Sequence, residues 1–111
     1  MPTDSYPHLL AALRLLAAPA AEQCQYYGPH VIVADELTLD YADVLLLVNS
    51  FPHPPQLVAT TYTALIELNQ ELDAMSSVPE LWTVNALAHS PRWHRLRRQV
   101  AAILVLLLGR E

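Results

Sequence analysis

Nine prolines cut this chain of 111 residues into leucine- and alanine-rich stretches, and only two glycines relieve the backbone where it must turn. Proline fixes φ and lacks the N–H that a helix interior or a central strand needs, so each proline marks a boundary or the first turn of a helix. Between the prolines, 21 Leu and 15 Ala supply strong helix formers. The expected fold class is all-α: a single α-helical domain over residues 1–111, built as an irregular bundle of five or six helices.

Capping residues sharpen the boundaries. Ser5 can cap a first helix over residues 6–17, with Pro7 tolerated in its first turn and Leu9, Leu10, Leu13, Leu16 and Ala17 forming one buried stripe. Pro19 ends that helix and starts a second over 20–27, which Gly28 and Pro29 stop. Three β-branched residues in a row, Val31, Ile32 and Val33, predict a short extended segment. Asp35 or Thr38 then caps a third helix running to about residue 49, burying Leu37, Tyr41, Val44, Leu45 and Val48. Pro52, Pro54 and Pro55 make a stiff connector. The longest helix is expected over 56–75, with Val58, Thr61, Tyr62, Leu65, Leu68, Leu72 and Met75 inward. Ser77 and Glu80, with Pro79 between them, match a capping box that opens a short helix to about residue 88, burying Leu81, Trp82, Val84 and Leu87. Ser90 and Pro91 start the last helix, and Gly109 stops it.

Composition narrows the function classes. Hydrophobic residues make up 53 % of the chain and charged residues 15 %, so there is ample apolar surface to bury and no reason for disorder. The net charge is −5 and all six basic residues are Arg, which disfavours binding nucleic acid through a broad basic surface. The absence of Lys has a plain source in a GC-rich coding sequence. Cys24 is the one cysteine, so an intrachain disulfide is excluded, and with no basic residue next to it in sequence it reads as a structural thiol. Residues 9–21 imitate the apolar part of a secretion signal, but Asp4 precedes them and Arg14 interrupts them, so they read as a helix of the fold. The apolar run VAAILVLLL, residues 100–108, rises only about 14 Å as a helix, too little for a membrane span. Its side chains cover the whole circumference, so it is expected either at the centre of the bundle or against a second subunit, with Leu104 and Leu107 as the residues at stake.

Catalytic and cofactor motifs are missing. Gly28 and Gly109 cannot build a phosphate-cradling loop, and no Gly-x-Ser-x-Gly elbow occurs. Tyr26, Tyr27, Tyr41 and Tyr62 read as half-buried core residues rather than a catalytic set. Glu36, Asp40 and Asp43 share one side of the third helix within about two turns. Carboxylates so placed can converge on a cation, with His53 or His94 as further ligands, but the Glu-x-x-His partner motif of helical metal centres is absent. No metal and no cofactor is therefore expected, and the three acids read first as a solvated or ion-pairing face. Arg92, Arg95, Arg97 and Arg98, interleaved with Trp93 and His94, read first as ion-pair partners of these acids or of Glu67 and Glu71.

The leading functional expectation is a non-enzymatic, acidic, cytoplasmic protein-binding module, neutralising or escorting a basic partner as an immunity protein, antitoxin or adaptor does. Its expected partner-facing residues are Glu36, Asp40, Asp43, Arg92, Trp93 and Arg95. The alternatives are a small helical metal-binding protein or enzyme built on Glu36, Asp40, Asp43 and a histidine, and an accessory subunit that self-associates as a homodimer through its C-terminal helix.

Overall fold

The computed structural model describes residues 5–50 and 57–108. Among them are six α-helices, one 3-10 turn and no strand. Helix α1 (Tyr6–Ala17) ends where Pro19 drives Ala18 into the extended region, ψ 156°. Helix α2 (Ala20–Tyr27) stops at Gly28, whose φ of 84° is one that a side chain strains to adopt. Then come α3 (Val33–Ser50), α4 (Ala59–Ser76), the 3-10 turn (Pro79–Trp82), α5 (Val84–His89) and α6 (Pro91–Leu108). The connector at 51–55, His53, Gln56 and the Gly109 stop lie outside the described residues.

Helix α1 runs between α3 and α6, its two most extensive neighbours, and α4 closes the bundle against α6 and α3. The stripes read from the sequence meet in one core: Leu9, Leu13 and Leu16 of α1, Leu37, Tyr41, Leu45 and Val48 of α3, Leu65, Leu68, Leu72 and Met75 of α4. Within the apolar run at 9–21, Leu9, Leu13 and Leu16 thus pack inside the bundle. Two buried aromatics satisfy their polar ends on backbone, Tyr41 Oη donating to Leu65 O at 2.7 Å and Trp93 Nε1 to Leu81 O at 2.7 Å. The Cα radius of gyration is 13.9 Å.

Three local expectations are corrected. The extended segment at Val31, Ile32 and Val33 does not form. Val33 is the first residue of α3 and buries against the core with Ala34, while Val31 and Ile32 stand exposed in the turn before it. A lone β-branched run has no strand to pair with here, and burial on a helix outweighs its propensity. The capping box at Ser77 is also absent, because Ser77 Oγ donates back to Ala74 O at 2.8 Å and closes α4 instead. The cap falls to Thr83, whose Oγ1 accepts from Ala86 N–H at 3.0 Å and starts α5. This splits the expected short helix in two and leaves Val84 exposed. Lastly, α6 is not surrounded. Val100, Ile103 and Leu107 are buried and Leu104 packs partly against the core, but Ala101, Ala102, Val105 and Leu106 face outward. A chain of this size has too little mass to encircle one of its helices.

A buried polar network fixes the angle between α1 and α2. Gln23, fully buried, donates through Nε2 to Leu15 O at 2.9 Å and to Leu16 O at 3.1 Å, capping the last turn of α1. Arg97 reaches in from α6, its Nη2 donating to Gln23 Oε1 at 2.9 Å and to Leu87 O at 2.7 Å, and its Nε to Ala18 O at 3.0 Å. No carboxylate takes part. The carbonyl ends of α1 and α5 carry the partial negative charge that faces the guanidinium. Burial lowers the Arg97 pKa, yet a guanidinium stays protonated at any physiological pH.

Candidate functional site

An open cleft of about 590 Å³ lies between α1, α2 and α3. Pro19 and Gly28 set it up, because they turn the chain twice and lean three successive helices against one another. Leu15, Leu37 and Val44 give it an apolar floor. Glu22, Asp40 and Asp43 stand on the α2 and α3 walls, and His8 and Arg14 on the α1 wall. Tyr26 and Tyr27 close the α2 side.

The two tyrosines differ in role. Tyr27 is part-buried and donates its hydroxyl to Asp40 Oδ2. Desolvation, reinforced by that hydrogen bond and by the charge of Asp40, holds the Tyr27 phenol well above the ordinary tyrosine range, so it remains a proton donor. Tyr26 is 70 % exposed and stacks edge-on against Tyr27, ring centroids 4.9 Å apart at 84°. A large aromatic face thereby stands open beside three carboxylates. This corrects the expectation that Tyr26 belongs to the core.

The residues singled out in the sequence are not brought together. Asp40 and Asp43 line the cleft. Glu36 lies one turn away on α3, outside the wall but close enough to raise the Tyr27 pKa slightly. Arg92 pairs with Glu71, Nε to Oε2 at 3.1 Å, the structural role expected of the arginine cluster. Trp93 is fully buried and packs at a tilt against Trp82, centroids 5.7 Å apart at 45°. It is a core residue, not a partner-facing one, because its indole is needed between α6 and the 3-10 turn. Arg95 is exposed on α6, away from the cleft lining. Leu107 is core, 3 % exposed. Among the described residues no three His, Cys, Asp or Glu side chains gather closely enough to hold a metal ion, so Glu36, Asp40 and Asp43 do not meet His94 at such a site. His53 lies outside the described residues.

Sequence reasoning missed His8, Arg14, Glu22 and the exposed Tyr26. Glu22 and Tyr26 sit four apart on α2, which places them on one face, and that spacing was a readable signal. The meeting of that face with Asp40 depends on the turn at Gly28, which spacing alone does not fix. Cys24 is free and part-buried, and the fold brings the Arg97 guanidinium near it, a basic neighbour invisible in the local sequence.

No helix among the described residues is long and apolar enough to cross a membrane. No family model matches the chain, and neither a curated protein nor a solved structure does.

Proposed function

We propose that this protein is a non-enzymatic binding module whose α1–α2–α3 cleft receives a basic segment of a partner protein. The observation that carries this reading is that Glu22, Asp40 and Asp43 line one cleft with the exposed Tyr26 and the apolar Leu15, Leu37 and Val44. An arginine or lysine side chain has matching chemistry. Its alkyl stem lies on Leu37 and Val44, its charged head meets the carboxylates, and the Tyr26 face adds a cation–π contact. Three acids against the single Arg14 leave the cleft net acidic, which steers a basic partner toward it. An immunity protein, antitoxin or adaptor acts this way when it neutralises or escorts a basic protein. We place it in the cytoplasm, where an unpaired cysteine such as Cys24 is ordinary.

The test is an NMR titration of the full chain with a short peptide alternating arginine and leucine, set against one alternating glutamate and leucine. The expected result is saturable shifts at Tyr26, Tyr27, Asp40 and Asp43 with the basic peptide only, lost in the combined Glu22→Gln, Asp40→Asn and Asp43→Asn variant. Equal response to both peptides, or shifts centred elsewhere, would overturn the reading.

A further inference from the structure

We propose that the outward side of α6 is a self-association surface, on which a second copy of this chain docks through its own α6 in an antiparallel, two-fold arrangement. The surface is a stripe at helical spacing, Arg95, Arg98, Ala101, Ala102 and Val105, and every one of these residues is exposed. Its two halves differ in chemistry. The half nearer the start of α6 carries the cations, and the later half is small and apolar, with Val105 68 % exposed. Alanine at 101 and 102 leaves the backbone open to close approach by another helix.

Charge decides the occupant and its direction. Arg95 and Arg98 form no ion pair with a described residue, the Arg92–Glu71 pair being the one present. Glu67 of α4, itself exposed and outside any such pair, borders the shallow groove that α4 and α6 form beside Ala102. A second α6 running antiparallel lays its Arg98 half over this apolar half and brings a cation to Glu67. The two-fold axis repeats the contact at the other end, so one surface satisfies itself twice. A parallel pairing instead sets Arg95 and Arg98 against their own copies, where like charges repel. Two other exposed apolar groups, Leu39 and Leu46 on α3 and Val31, Ile32 and Val84 around the start of α3 and α5, have no arginine beside them and so lack this self-complementarity. From Arg95 to Val105 the stripe spans only about 15 Å, so the dimer is a weak one that exchanges with monomer.

The test is sedimentation equilibrium of the full chain from micromolar to near-millimolar concentration. The expected result is a concentration-dependent rise from 12.4 kDa toward twice that mass. Val105→Glu, at a position exposed in the monomer, should raise the dissociation constant roughly tenfold or more with an unchanged circular dichroism spectrum. Arg98→Glu and Glu67→Arg should each weaken the dimer about as much, and the two together should restore it. Leu46→Glu should leave it intact. A monomer at every concentration, a dimer indifferent to Val105→Glu, failure of the paired reversal to restore it, or loss on Leu46→Glu would each overturn the proposal.

Discussion

Arg97 Nη2 donates to Gln23 Oε1 at 2.9 Å across 74 positions of sequence, and through this contact the last helix holds the second against the end of the first. Each partner is saturated by backbone on its other side, Gln23 by Leu15 O and Leu16 O, Arg97 by Ala18 O and Leu87 O. The pair is therefore a joint between four helices rather than a surface ion pair. Replacing Arg97 by Met keeps the stem and removes every donor, stranding carbonyls at two helix ends. Unfolding free energy should fall by about 3 kcal/mol, with about 2 kcal/mol for Gln23→Ala. The double variant should cost clearly less than the sum, because each change already disables the other partner. Urea titrations of the four proteins measure this, and strict additivity would refute the joint.

Alkaline pH should loosen the fold. The Tyr27 and Tyr41 phenols are both held above their usual value of 10.0, each chiefly by desolvation, with the Asp40 hydrogen bond adding to the effect at Tyr27. Above pH 10 the unfolded chain gives up protons that the folded chain keeps, so the unfolded state binds fewer protons and stability declines as pH rises. Below pH 10 both states are protonated and the effect is absent. Thermal midpoints should be level for these groups from pH 8 to about pH 9.5 and then drop. Tyr41→Phe should flatten the drop, and an undiminished drop in the double Tyr27→Phe, Tyr41→Phe variant would assign it to other groups.

Trp93 shows how far side-chain chemistry in the sequence could mislead. Between Arg92 and His94 it reads as a surface aromatic, yet it is fully buried with its indole N–H on Leu81 O. Trp93→Phe removes that donor and part of the core volume, and should cost about 2–3 kcal/mol. Affinity for the arginine–leucine peptide should be unchanged at temperatures where the variant is folded. Chemical denaturation followed by far-UV circular dichroism, beside the peptide titration, separates the two effects.

The helices were legible because leucine periodicity and proline placement are local signals. Helix α1 at Tyr6–Ala17 and α2 at Ala20–Tyr27 fall where Pro19 and Gly28 put them. Val33 went astray because its β-branched propensity is worth less than the burial it gains on α3. Ser77 went astray because two helix ends compete for one hydroxyl, and the competitor, Thr83, lies six residues on. Half of the cleft was legible, since Asp40 and Asp43 share a helix face. The other half comes from α1 and α2, and only the tertiary turn at Gly28 brings it opposite.

Among the described residues, Thr61 carries the one buried side-chain oxygen or nitrogen left without a hydrogen-bond partner. It is fully buried on α4, in line with Leu65 and Leu68, and its Oγ1 finds no hydrogen-bond partner. The hydroxyl lost its water on folding and recovered nothing for it. Valine has nearly the same shape and no polar atom, and it suits the apolar neighbours that α4 presents there. Thr61→Val should therefore stabilise the protein, by about 1 kcal/mol. Thr61→Ser, which keeps the hydroxyl and drops a buried methyl, should destabilise it by about 1 kcal/mol. Urea midpoints that move in opposite directions for the two substitutions establish an unsatisfied hydroxyl at this position. A loss of stability on Thr61→Val would show that the oxygen is bonded in solution.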